Sequence, residues 1–300
     1  MKRNYSKGAS IAIITAIYVL AGVAGWVLFV RLTAVGMSPI WASLCADVAA
    51  TIVVWFFGLL YENVSVYDPY WSVFPPVVYL LWTFRTGTWS LPVILLLIAA
   101  WYWGWRLTRN WAITFLGIAH EDWRYTKYRS LHPLLFHLIN LFGLNMVPTL
   151  VVFAAMLPGL RLYEYNLSLH DLFTMYGKGF DCYLYSGLLL FFGFVVCLAS
   201  ATIQLIADKQ SHDFRAANPG KVCNVGLWKR GRHPNYFGEM QFWWGIWIMY
   251  AAFGGINWLI FCPTMMSLLF LCISIPLMEN RQLQNKPDYA AYQQSTRLLI

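Results

Sequence analysis

Long apolar runs alternate with short polar breaks along the chain, and the runs set its architecture. The first extends from Gly8 to about Val30 and the second from Pro39 to Leu60. Each supplies the roughly 20 apolar residues a helix needs to cross a bilayer. The third, from Val73 to Phe84, is short and opens near Pro75-Pro76, so it has to be tilted, re-entrant or shielded by neighbours. Further runs are Trp89 to about Leu107, Pro133 to about Leu157, Cys182 to Ile206, Phe242 to Phe253 and Ile256 to Met278. The fourth ends in Trp101-Tyr102-Trp103-Gly104-Trp105, an aromatic belt that suits a membrane interface. No stretch has the period-two alternation of a strand. The predicted fold is all-α: one multi-pass membrane domain over residues 1–300, with seven to eight transmembrane helices and a loop region facing the cytoplasm.

The breaks carry the chemistry. Tyr61 to Ser72, YENVSVYDPYWS, brings Glu62, Asn63 and Asp68 together with Tyr61, Tyr67 and Tyr70. It reads as a site wall or a re-entrant turn, with an interfacial connecting loop as the alternative. From Leu107 to His132 the chain is amphipathic and charged, which predicts a cytoplasmic surface helix or lid. His120-Glu121 opens no His-Glu-x-x-His zinc motif, because Arg124 stands where the second histidine belongs. His137 and Asn140 fall inside the fifth run, where polar groups line a chamber or bond a neighbouring helix. Gln204 and Asp208 are one helical turn apart and share a face. A carboxylate at a helix C-terminus opposes the dipole, so Asp208 requires a ribose hydroxyl pair or a Lys or Arg partner.

Composition agrees with the membrane reading. Of the 300 residues 59% are hydrophobic and 11% charged, which excludes a soluble domain with a polar surface. The formal charge of +8 lies in loops, as the positive-inside rule requires, and does not point to nucleic acid. An eight-span arrangement with both ends inside leaves only Arg31, Arg85, Arg161 and Lys178 outside. The basic leader MKRNYSK precedes an apolar run too long for a signal-peptide core, so that run is expected to remain as a span. Six cysteines with no Cys-x-x-Cys pair indicate neither a disulfide framework nor a metal site. Asn166-Leu167-Ser168 is a glycosylation acceptor only in a secretory compartment.

The stretch of highest chemical density is KVCNVGLWKRGRHPNYFGEMQ, from Lys221 to Gln241. Lys229, Arg230, Arg232 and His233 precede Pro234, which suits a first helical position, and Asn235, Tyr236 and Glu239 follow it. Fixed cations ahead of free helix N–H groups make an anion site, most naturally for phosphate. A topology-setting basic loop is the plainer alternative, but it does not require Tyr, Asn and Glu at the helix start.

GLWKRGRHPNYFGE resembles the signature of the DUF1295 membrane proteins, relatives of the steroid 5-alpha-reductases and the sterol C14/C7 reductases. The likeness is strongest from Ala207 to Glu239 and recurs at Tyr289 and Tyr292, which makes residues 182–300 the reductase-like half. Isoprenylcysteine and phospholipid methyltransferases carry a related Arg-His-Pro-x-Tyr segment. The resemblance implies an NADPH-dependent oxidoreductase that reduces a carbon–carbon double bond in a lipophilic steroid-, sterol- or isoprenoid-like substrate. On that basis NADPH is expected against Asp208, Lys209, Arg215, Asn218, Leu227, Trp228, Arg230, Arg232, His233, Asn235, Tyr236, Glu239, Tyr289 and Tyr292. The alternatives are an S-adenosylmethionine-dependent membrane methyltransferase and a non-catalytic lipid-binding protein. The cation density around Arg215, Lys229, Arg230 and Arg232 favours a cofactor with a 2′-phosphate.

Hydride transfer to an alkene needs an acid as well. Asp68, Tyr67, Glu279 and Tyr236 are the expected catalytic residues, with Tyr70 and Glu239 also placed to serve. Asp68 leads, because a carboxyl in an apolar cavity holds its proton whereas one beside Arg232 would be kept ionised. LLWTFRTG keeps Arg85 but has Trp82 where steroid reductases place a ketone-binding tyrosine, which weakens the case for steroids. The expected setting is a bacterial inner membrane or the endoplasmic reticulum, with the cofactor site on the cytoplasmic face and membrane lipids as partners.

Overall fold

The computed structural model describes residues 5–165 and 180–300, with side chains from 185 onward in the second stretch. The start of the basic leader, Asn166-Leu167-Ser168, Lys178 and the side chain of Cys182 lie outside what is described.

Among the described residues the fold is helical throughout, with no strand. The helices are α1 (Lys7–Ala34), α2 (Pro39–Leu60), α3 (Tyr70–Thr86), α4 (Leu91–Thr114), α5 (Pro133–Glu164), α6 (Phe180–Ala217), α7 (Pro234–Gly254), α8 (Trp258–Asn285) and α9 (Tyr289–Ser295). Six of them, α1, α2, α4, α5, α6 and α8, are long and apolar enough to cross a membrane, so the chain is an integral membrane protein on length and composition. α3 has 17 residues with Pro75 and Pro76 inside it, and α7 begins on the polar signature; neither is among the six.

Two elements depart from the sequence reading. The charged segment after Leu107 forms no surface helix: α4 continues to Thr114, Gly117 turns the chain at φ 120°, and one short turn, Trp123–Thr126, follows. Its polar groups are spent on the 62–68 segment instead of on a helical face of their own. α6 runs past Ile206 to Ala217, with a Lys209–Asp213 ion pair of 2.5 Å one turn apart on its exposed end.

The chain divides into two compact units, Met1–Val77 with Leu107–Ala154, and Val78–Arg106 with Ala155–Ile300. In the first unit α1 and α2 approach so closely that a Cβ on Gly25 would meet the Ala46 carbonyl at 3.0 Å. After α2 the chain reverses at Glu62, which adopts φ 50° in the left-handed region, and the chain returns through a buried 3-10 turn, Val64–Tyr67, capped by Asn63. So short a turn is stable there because its polar groups are matched. Asn63 Nδ2 donates to the Ile118 and His120 carbonyls at 2.6 and 2.9 Å, Val64 N to Glu121 Oε1 at 2.8 Å, and Asp122 N to Ser65 Oγ at 2.9 Å. Tyr18 OH donates to the Val66 carbonyl at 2.7 Å.

In the second unit α7 is buried on most of its circumference and crosses α6 through glycines. A Cβ on Gly193 would lie 2.7 Å from Met249 N, and one on Gly245 would lie 2.6 Å from Cys197 Sγ and 2.9 Å from the Gly193 carbonyl. Small residues at a crossing let backbones touch, which is how membrane helices gain packing without a hydrophobic drive between them. Gly245→Val is therefore expected to lower the thermal midpoint in detergent, by the equivalent of about 1–3 kcal/mol of overpacking. A midpoint equal to wild type would mean that the crossing is not tight.

Candidate functional site

The signature begins in a 3-10 turn, Gly226–Lys229, with Gly226 at φ 56°. Leu227 N donates to Gln210 Oε1 at 2.9 Å, and Trp228 Nε1 donates to the Ala207 carbonyl at 2.9 Å, so both residues fix the turn to the end of α6. Tyr292 OH donates to the Trp228 carbonyl at 2.5 Å.

Arg232 is committed internally. Its Nε donates to Glu279 Oε1 at 2.6 Å, and its Nη1 donates to the Gln293 and Thr296 carbonyls at 2.8 and 2.5 Å. Glu279 also meets His233 Nε2 at 3.0 Å and accepts from Gln293 Nε2 at 2.8 Å and Tyr289 OH at 3.4 Å. Burial holds the His233 imidazole below its ordinary pKa, partly offset by Glu279. Glu279, expected as an acid clear of the basic loop, thus sits between Arg232 and His233. Its two oxygens hold the loop to α8 and α9.

Behind the signature is a buried ion triad. Arg106, at 2% exposure, donates from Nη1 to Asp208 at 3.0 Å and from Nη2 to Glu239 at 3.2 Å. Glu239 further accepts from Trp103 Nε1 at 3.0 Å and Trp243 Nε1 at 3.0 Å. Asn235 Oδ1 accepts from Tyr236 N at 3.1 Å, inside the first turn of α7. Because α6 continues to Ala217, Asp208 lies inside the helix and not at its C-terminus, and Arg106 supplies it with a cation. Sequence reading passed over Arg106 because its partners lie more than a hundred residues away; its one local signal was a charge inside an apolar run.

Of the residues expected to meet a cofactor, the second unit therefore holds Asp208, Trp228, Arg232, His233, Glu239, Tyr289 and Tyr292 by side-chain hydrogen bonds. Tyr236 stacks on His233 at 5.4 Å between ring centres. Arg215 Nε donates to the Ser211 carbonyl at 3.0 Å and Asn218 Nδ2 to the Phe214 carbonyl at 3.3 Å, both on the last turns of α6. Lys229 and Arg230 are exposed, and among the described residues neither side chain has a hydrogen bond or ion pair. The first turn of α7 receives no side-chain cap from His233.

The expected acids Tyr67 and Asp68 belong to the first unit. Asp68 accepts from the Tyr125 hydroxyl and from Arg124 Nη2 at 3.4 Å. Burial raises its carboxyl above the usual range, and Arg124 acts in the opposite direction. Tyr67 OH meets Thr149 Oγ1 at 2.7 Å, Thr51 Oγ1 meets the same atom at 2.9 Å, and Thr149 donates to the Asn145 carbonyl at 2.9 Å. Asn145 Nδ2 in turn donates to the Asn140 carbonyl at 2.7 Å across a π-helical turn, Ile139–Met146. Asn140 is therefore bonded within its own helix, while His137 is exposed beside Phe136.

One residue here was not anticipated. Asp47 lies in the middle of α2 at 1% exposure; Tyr70 OH donates to its Oδ1 at 2.8 Å, and its Oδ2 has no partner. A lone carboxylate inside an apolar run was the available signal, because such a group is usually functional. Among the described residues no three His, Cys, Asp or Glu side chains gather as metal ligands.

Neither a curated protein nor a solved structure matches this chain. The profile of one family, described as protein of unknown function (DUF1295), matches residues 54–296. That span takes in α3 to α9, the signature and the buried triad behind it, and the chain belongs to the DUF1295 family.

Proposed function

We propose that this protein is an NADPH-dependent membrane reductase of a carbon–carbon double bond in a lipophilic substrate, related to the steroid and sterol reductases. The observation that carries the reading is the division of labour in the signature. Its Trp228, Arg232, His233 and Glu239 side chains are tied to α4, α6, α8 and α9, while Lys229 and Arg230 stay exposed ahead of α7. Two exposed cations fit an anionic ligand, and a dinucleotide with a 2′-phosphate offers several anionic groups.

In this reading Lys229 and Arg230 hold phosphate, and Asn235 and Tyr236 orient the nicotinamide end. When bound, NADPH supplies the hydride. Tyr70 and Asp47 share the proton that completes the reduction, and the hydroxyls of Thr51, Thr149 and Tyr67 extend the same buried polar cluster. Asp68, bound by Arg124 and Tyr125, fastens the buried 62–68 segment. Glu279, saturated by Arg232, His233 and Gln293, serves as an anchor.

The same reading takes α3 and α7 as further crossings, which gives eight, with both ends and the signature on the cytoplasmic side of a bacterial inner membrane or the endoplasmic reticulum. At 21 residues, α7 spans roughly 31 Å at 1.5 Å per residue.

Thermal unfolding of the detergent-purified protein with NADPH, NADH or S-adenosylmethionine tests the proposal. A ligand at 100 times its Kd adds about 2.7 kcal/mol of apparent stability. NADPH is expected to raise the midpoint, NADH to raise it less, and S-adenosylmethionine to leave it in place. Equal shifts from NADPH and NADH would remove the 2′-phosphate argument. A shift from S-adenosylmethionine alone would make the protein a methyltransferase, and no shift from any of the three would leave a lipid-binding protein.

A further inference from the structure

The residues after α9 lie across the signature in a way that the sequence did not disclose. Successive backbone N–H groups of Arg232 and His233 donate to successive carbonyls of Arg297 and Leu298, at 2.9 and 3.2 Å. Arg232 adds side-chain bonds to the Gln293 and Thr296 carbonyls, and Tyr292 bonds back to Trp228. Gly231 sits directly beneath the strap: a Cβ there would lie 2.8 Å from the Leu299 carbonyl carbon and 2.9 Å from Ile300 N. Since both neighbours are backbone, no side-chain rotation relieves the clash.

We propose that residues 296–300 are a clamp on the cofactor loop, and that Arg232 is a positioning residue that acts through this clamp. The guanidinium faces one carboxylate and two carbonyls, so its hydrogen-bonding capacity is turned toward the protein. Lys229 and Arg230 directly precede it and carry the free charge. Fixing the backbone on both sides of Gly231 holds these two long side chains on one short arc, which lowers the ordering cost of binding a multiply charged ligand. The positioning role rests on the NADPH reading; the clamp itself does not.

The test compares Gly231→Val and Arg232→Lys with wild type in detergent, by amide hydrogen exchange over residues 226–233, by NADPH titration and by steady-state kinetics. Gly231→Val changes no charge, so a direct phosphate role cannot explain its effects. The clamp predicts that Gly231→Val exposes the Arg232 and His233 amides to exchange and weakens NADPH binding on the order of tenfold, raising KM for NADPH more than it lowers kcat. Arg232→Lys keeps the charge but cannot reach three acceptors, and it should follow Gly231→Val in both readouts. Unchanged amide protection in Gly231→Val would overturn the clamp. Lost protection with unaltered NADPH affinity would overturn the positioning role. If wild-type protein binds no NADPH, the cofactor reading and the positioning role fall together, and the exchange measurement alone then decides whether the clamp exists.

Discussion

Arg106→Ala is expected to lower the thermal midpoint in detergent sharply and to reduce the yield of folded protein. The guanidinium is buried and is the only cation bonded to Glu239 among the described residues, and its loss leaves two carboxylates facing one another across an emptied site. Glu239 would keep its bonds from Trp103 and Trp243, which are neutral donors and do not compensate a full charge. Breaking one side of a buried ion pair costs about 3–5 kcal/mol, most of it from the charge left behind. Against a total stability of about 5–15 kcal/mol, that removes a large share. Size-exclusion profiles and thermal midpoints of Arg106→Ala, of Glu239→Gln and of Arg106→Met combined with Glu239→Gln check the account. The double variant carries no uncompensated Glu239 charge, and its amide can still accept from a tryptophan, so it should recover part of the loss. A wild-type midpoint in Arg106→Ala would show that the triad contributes nothing to stability.

Hydropathy made the crossings legible because each helix has to meet the bilayer on its own, without help from distant residues. The starts at Pro39 and Pro133 follow from proline at a first helical turn. The charged segment after Leu107 was harder, since its periodicity fits a helix but its side chains are consumed by Asn63, Val64, Ser65 and Asp68 from an earlier stretch. The signature's location was legible and its internal wiring was not. Arg232 reads as a phosphate cation until Glu279 and the carbonyls of Gln293 and Thr296 are brought to it. By the same logic Glu279 reads as an acid in a tail until Arg232 is beside it. Local pattern reports what a residue can do, whereas long-range pairing decides which of its partners has already claimed it.

Tyr70→Phe and Asp47→Asn are expected to stop turnover while leaving the fold and NADPH affinity in place. Tyr70→Phe keeps the ring that meets Tyr18 edge-on at 5.6 Å and stacks on Phe74 at 5.7 Å, and it removes only the hydroxyl donated to Asp47. Asp47→Asn preserves shape, and the free Oδ2 is the feature it abolishes. Loss of a positioned proton donor lowers rates by about 10²–10⁴, whereas leaving a buried acceptor without its donor costs about 1–3 kcal/mol of stability. Asp68→Asn is the control, because Asp68 is already engaged by Arg124 and Tyr125. That change should loosen residues 122–129 and depress the thermal midpoint more than the rate. Single-turnover NADPH oxidation with a lipophilic enone, followed across a pH series in all three variants, separates these outcomes. Wild-type rates in both Tyr70→Phe and Asp47→Asn would sink the assignment of the acid. Loss of turnover confined to Asp68→Asn, with NADPH affinity intact, would move the proton to the 62–68 segment and make Asp68 the acid.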